Sequence, residues 1–206
     1  MKTDELIARL VDDVPSLAGA RPLPARAMIL IAVLTVGVTV AASMLLYGVR
    51  AAGPGSGIMG YLVWAALAGL ALASVARARA PMPVSKRTLL APVCALLALL
   101  GILAGLSLAD QKSVVRVDHV IHCLQTIGLL AIAPFAALSV LMRRSAPASP
   151  VIAGALAGLV AGAIGALAYS VSCPINDPLA ALSAHATTVL IIAGIGAVVG
   201  WRLYAW

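Results

Sequence analysis

Six stretches of this chain are apolar and uncharged over about 18 residues or more, the length a helix needs to cross the hydrocarbon core of a bilayer. They fall at approximately Met28–Gly48, Ile58–Ala76, Thr88–Ala109, Leu124–Met142, Val151–Ser170 and Ala186–Tyr204. In lipid every backbone N–H and C=O has to be paired within the protein, which leaves helices or closed barrels. Barrel strands alternate in polarity and these runs do not, so the pattern predicts helices. Only 10% of the 206 residues are charged, against about 25% in a soluble domain, and no connecting loop is long enough to fold alone. The expected fold is all-α, an integral membrane bundle of six transmembrane helices over residues 26–206, preceded by a short cytoplasmic arm at residues 1–25.

Orientation follows from Lys and Arg, which stay on the cytoplasmic side of a span. Eleven of the 14 basic residues fall on one side, namely Lys2, Arg9, Arg21, Arg26, Arg77, Arg79, Lys86, Arg87, Arg143, Arg144 and Arg202, and only Arg50, Lys112 and Arg116 on the other. Both termini are therefore expected in the cytoplasm. Asp4, Glu5, Asp12 and Asp13 lie inside and Asp110, Asp118 and Asp177 outside, so the net charge of +7 resides wholly on the inner side. The excess reflects topology, and direct nucleic-acid binding is not expected. The first apolar run is too long for a signal-peptide core and follows a mixed-charge arm, so it reads as an uncleaved anchor.

Within the arm, residues 3–14 read as an amphipathic helix with Thr3 as N-cap and Asp4 and Glu5 in its first turn. Leu6, Ile7, Leu10, Val11 and Val14 share one apolar arc. A helix made to lie on anionic lipid is rich in Lys and Arg. Four acids here face Lys2 and Arg9 alone, so a protein partner is the better reading, with Asp4, Glu5, Leu6, Ile7, Leu10 and Val11 as its contacts. The alternative is that the arm packs beneath the bundle. Pro15, Pro22 and Pro24 then make a stiff link to the first span.

Inside the spans, Gly154, Gly158 and Gly162 recur at intervals of four, followed by Gly165, and Gly101 and Gly105 repeat the spacing in the third span. Small residues so placed admit the backbone of a neighbouring helix, and packing within the bundle is a better expectation than dimerisation. Cys94 reads as a small buried hydrophobe. No Asp, Glu, Lys, Arg or His occupies the middle of a run, whereas ion-coupled carriers and voltage sensors generally need such groups there. No Cys-x-x-Cys pair marks a thiol oxidoreductase, and the chain is expected to be non-enzymatic.

The remaining chemistry gathers where apolar runs meet outer loops, at Asp118-His119-Val120-Ile121-His122-Cys123 and at Ser172-Cys173-Pro174. If the fourth helix extends outward, His119, His122 and Cys123 stand at i, i+3 and i+4 on one face. Cys173 ends the fifth run and His185 begins the sixth, on the same side of the membrane. Imidazole nitrogen and thiolate sulfur suit copper and zinc, thiolate favouring Cu(I), while Asp118 or Asp177 is placed to support an imidazole. No obligatory cofactor is implied, only a transiently bound transition metal. Outside the cytoplasm the two thiols have three states open to them: disulfide, dithiol and metal-bound.

Several tracts together resemble the NrsF family: the opening Met1-Lys2-Thr3-Asp4-Glu5-Leu6-Ile7, Cys123-Leu124 before a fourth span containing Pro134, and Leu141-Met142-Arg143-Arg144 with Ala146-Pro147. The tract Ala153-Gly154-Ala155-Leu156-Ala157-Gly158-Leu159 and Tyr169 before Cys173-Pro174 complete the set. The resemblance implies a six-span anti-sigma factor of the bacterial inner membrane. Such a protein holds an extracytoplasmic-function sigma factor and releases it under heavy-metal or related stress, using two periplasmic cysteines that correspond to Cys123 and Cys173. A second reading is a metal-ion permease or channel that admits its ion through the same outer Cys and His residues. Ligating groups along a path through the bilayer would favour it, and Cys94 and Met142 are the candidates.

Overall fold

In the computed structural model, residues 25–48, 56–78, 86–109, 117–143, 147, 149–173 and 178–204 are described. They form six helices: α1 (Ala25–Tyr47), α2 (Ser56–Ala78), α3 (Lys86–Ala109), α4 (Val117–Arg143), α5 (Pro150–Tyr169) and α6 (Pro178–Leu203), with no strand among the described residues. The arm with Asp4, Glu5, Leu6, Ile7, Leu10 and Val11 lies outside the described residues.

The all-α expectation holds, and among the described residues four candidate spans stand where six were expected. Leu30–Tyr47 in α1, Val120–Arg143 in α4, Pro150–Tyr169 in α5 and Leu179–Leu203 in α6 are long and apolar enough to cross a membrane. Among the described residues, the apolar stretches of α2 and α3 are shorter, Tyr61–Ala76 and Leu90–Ile102.

Helix boundaries follow local chemistry. Gly48 adopts φ +75° after α1, and its N–H bonds the Met44 carbonyl at 3.0 Å, a left-handed stop available to glycine without steric cost. Ser149 precedes α5 in extended conformation and Pro150 supplies the preset φ of a first helical residue. At its other end Ser170 donates from both N–H and hydroxyl to the Ala166 carbonyl, at 2.9 and 2.7 Å.

The helix α5 is the axis of the bundle and touches each of the other five. It is apolar all round and buried along nearly its whole length, as a helix without a polar face should be. Its closest neighbour is α6. A Cβ at Gly154 would overlap the Gly196 carbonyl and stand 2.7 Å from the Gly200 Cα, while one at Gly158 would stand 2.6 Å from the Ile192 carbonyl. Gly196 and Gly200 return the contact, a Cβ at Gly200 lying 2.6 Å from the Gly154 Cα. Gly162 is looser, with Val189 at 3.4 Å, and Gly165 turns toward α4, 2.9 Å from the Ile127 carbonyl. Since lipid tails are as apolar as side chains, contact at this range supplies dispersion attraction where the hydrophobic effect supplies little. Gly101 and Gly105 on α3, by contrast, have nothing within 4 Å of a Cβ position. Cys94, on the same helix, is exposed, which corrects its expected burial.

Candidate sensor site

The helices α4 and α6 begin, and α1 and α5 end, at one end of the bundle, called here the cysteine end. Helix α4 starts at Val117, earlier than its apolar run, so His119, His122 and Cys123 are all helical. Cys123 is buried, at 1% exposure, whereas His122 faces outward. The side chain of His119 lies outside the described residues. Cys173 follows the last turn of α5, half-buried, and packs against the same apolar core that contains Cys123. The two thiols are close enough for charge on one to be felt at the other, and they are not joined in a disulfide.

Tyr169, at 1% exposure, connects the site. Its ring meets Tyr47 edge-on at 5.8 Å between centroids, His122 edge-on at 6.2 Å and His185 at a tilt at 5.7 Å, within the range favoured by aromatic pairs. Its hydroxyl pairs with Thr126, which also bonds the His122 carbonyl at 2.9 Å. Both imidazoles and both thiols therefore have Tyr169 as a common neighbour.

The sequence places His185 at the start of the sixth run, but it lies about two turns inside α6 and is 2% exposed. The helix begins at Pro178 because its polar residues satisfy themselves. Ser183, Thr187 and Thr188 donate their hydroxyls to the carbonyls of Leu179, Ser183 and Ala184 at 2.8, 2.9 and 2.9 Å. His185 thus lies within the candidate span Leu179–Leu203, deeper than the start of a run where the sequence puts it. Trp64 of α2, 0% exposed, lies 6.1 Å from it between ring centroids. Among the described residues, neither Trp64 Nε1 nor His185 Nε2 has a hydrogen-bond partner. An unpaired buried donor or acceptor costs about 1–3 kcal/mol, so two side by side mark a site with unused binding capacity.

A second set of bonds ties the site to α1. The Ser172 hydroxyl donates to the Gly48 carbonyl at 2.6 Å. Having spent its proton there, it accepts from the Ser43 hydroxyl at 3.4 Å, a longer and weaker contact. The residue next to Cys173 is thereby fastened to the end of α1.

Of the residues singled out in the sequence, Cys123, Cys173, His122 and His185 share this end. Among the described residues no three of His, Cys, Asp and Glu converge as a ready ligand set. Two thiols and an unpaired imidazole nitrogen do fit a soft or borderline metal by donor chemistry. Sequence reasoning missed Ser43, Tyr47 and Trp64, and it named Ser172 without its bond to Gly48. One signal was present: in a chain with 4% aromatic residues, Tyr47 and Tyr169 end two spans on one side, as interfacial aromatics do.

The family model for NrsF, described as negative regulator of sigma F, matches residues 16–206, leaving the opening of the arm outside the match. Neither a curated protein nor a solved structure matches the chain. The match spans all six helices and both cysteine segments, and it makes a sigma factor the implied partner. The chain belongs to the NrsF family of negative regulators of sigma F.

Proposed function

We propose that this protein is a multi-pass anti-sigma factor of the bacterial inner membrane, with both termini in the cytoplasm and the cysteine end in the periplasm. Its arm, residues 1–25, sequesters a sigma factor of the extracytoplasmic-function type, and a change at Cys123 and Cys173 releases it. The change is formation of a disulfide by a thiol oxidant, or capture of a transition metal such as copper or zinc. Family membership supports the regulatory role. The observation that carries the coupling is the bond from Ser172, the neighbour of Cys173, to Gly48 at the end of α1. Helix α1 leads back to the arm, so a displacement at Cys173 is transmitted to the segment that holds the partner.

A signal shifts such an equilibrium only through different affinity for the two states. Tenfold release needs about 1.4 kcal/mol. A metal–thiolate bond, or an imidazole lone pair gaining a ligand where it now has none, is large enough to supply it. His185 is accordingly the third ligand proposed beside the two thiols, with His122 at the surface and His119 beyond it.

The test is co-purification of the sigma factor with the detergent-solubilised protein, with and without Cu(I), Zn(II) and a thiol oxidant. Cys123→Ser and Cys173→Ser are expected to keep the sigma factor bound under all conditions, while the natural protein loses it and regains it with a chelator or reductant. Release from both variants as from the natural chain would place sensing elsewhere. Removal of residues 1–14 is expected to abolish retention, and undiminished retention would reject the arm as the binding segment.

A further inference from the structure

At the end of the bundle opposite the cysteines, one buried hydroxyl breaks a habit of this chain. Thr39, Ser74, Thr126, Ser183, Thr187 and Thr188 each donate to the carbonyl four residues back, at 2.7–3.0 Å. Ser139 of α4, 7% exposed, has no hydrogen-bond partner, although the Phe135 carbonyl lies one turn back. Its neighbour instead is the hydroxyl of Tyr204, just past α6 and 1% exposed, which has no partner either. Burial holds the Tyr204 phenol above its ordinary pKa, so it keeps its proton to donate at neutral pH.

Positive charge converges on this pair from two directions. Arg143, exposed, stands four residues after Ser139 on the same face of α4, and its charge is felt at the Tyr204 hydroxyl. A helical side chain leans back over the turn before it, so Arg143 overhangs Ser139 and can lift to admit a ligand. The second source is the start of α5. The Tyr204 N–H bonds the carbonyl of Gly200, where a Cβ would stand 2.6 Å from the carbonyl of Pro150, the first residue of α5. Ser149 gives that terminus no side-chain cap, so its first N–H groups are those a helix leaves unbonded. The ends of α4 and α6 contribute about −0.5 of a charge each, the start of α5 about +0.5 and Arg143 a full charge, which leaves this wedge between the three helices positive.

We propose that Ser139, Arg143, Tyr204 and the start of α5 form a site for a phosphate group. Donors from three helices call for an anion with at least three acceptor oxygens, and a carboxylate has two. In the proposed orientation the site lies at the depth of the inner-leaflet head groups, so the phosphate comes from an anionic phospholipid or from the cytosol. It is independent of sensing at the cysteine end.

The full chain, purified in a maltoside detergent and stripped of lipid, is melted against rising inorganic phosphate, dioleoyl phosphatidylglycerol or dioleoyl phosphatidylcholine at constant ionic strength. A saturable rise of about 3 °C or more is expected with phosphate or with phosphatidylglycerol, and a smaller one with phosphatidylcholine. A rise with phosphate alone identifies a soluble ligand, and a rise with phosphatidylglycerol alone identifies the head group. Arg143→Gln is expected to weaken binding by about tenfold or more, and Tyr204→Phe and Ser139→Ala by about threefold to tenfold. Without ligand these two hydroxyl variants should melt at or slightly above the natural chain, because each removes a buried hydroxyl that has no partner. The proposal is overturned if the three variants respond to ligand as the natural chain does, or if phosphatidylcholine acts as strongly as phosphatidylglycerol with no response to phosphate. It is equally overturned if Tyr204→Phe melts clearly lower without ligand, since the two hydroxyls would then serve packing alone.

Discussion

Gly154 and Gly158 on α5, and Gly101 and Gly105 on α3, share the same four-residue spacing and end in opposite surroundings. The first pair is pressed against the backbone of α6, and the second has nothing within 4 Å. The difference lies in the partner. Helix α6 presents Gly196 and Gly200, also four apart, so two grooves meet and each backbone enters the other. No second glycine row faces α3 among the described residues. The spacing permits an approach, and the complementary row on another helix decides whether it occurs.

Four substitutions sharpen this contrast, read as thermal unfolding of the purified protein in detergent. Gly154→Leu should have the largest effect, a loss above about 3 kcal/mol, because its Cβ meets the Gly196 carbonyl and backbone cannot swing aside as a side chain does. Gly165→Ala should cost about 1–2 kcal/mol, since its near contacts are the Ile127 carbonyl at 2.9 Å and a movable Ile127 methyl at 3.1 Å. Gly162→Ala belongs to the same row as Gly154 but meets Val189 only at 3.4 Å, so it should fall within about 0.5 kcal/mol of neutral. Gly101→Ala should be smaller still or stabilise by a few tenths, up to about 1 kcal/mol, by helix propensity alone. Equal losses at Gly101 and Gly154 would show that α3 has a partner of its own and would dissolve the comparison.

The same contrast shows what was legible in the sequence. Apolar runs located all six helices because length and polarity are properties of one segment. The central place of α5 was not legible, since it depends on Gly196 and Gly200 lying opposite Gly154 and Gly158. Run length also set two helix starts too late. The segments opening α4 and α6 contain His, Asp, Ser and Thr, which lower apolarity without breaking a helix, and Ser183 and Thr188 bond their own carbonyls. His185 was for that reason expected at the start of a run, when it lies buried beside Tyr169 and Trp64. The shared end of Cys123 and Cys173 was legible from the positive-inside pattern, because two loops on one side of a membrane are brought within a bundle's width. The tie through Ser172 was not, because nothing local distinguishes a serine bonded to its own helix from one bonded to Gly48.

Among the described residues helix α1 touches only α4 and α5, and 11% of its span is buried, against 78% for α5. Its 23 residues make a rod about 34 Å long, and its firmest polar attachment described is at one tip, where Gly48 receives the Ser172 proton. A rod so held behaves as a lever with its pivot at that tip. A tilt of about 5° there carries the far tip, at Ala25, through about 3 Å, the length of a hydrogen bond. An adjustment too small to disturb the glycine contacts of α5 with α6 is in this way enlarged to the scale on which a docked protein surface gains or loses its bonds.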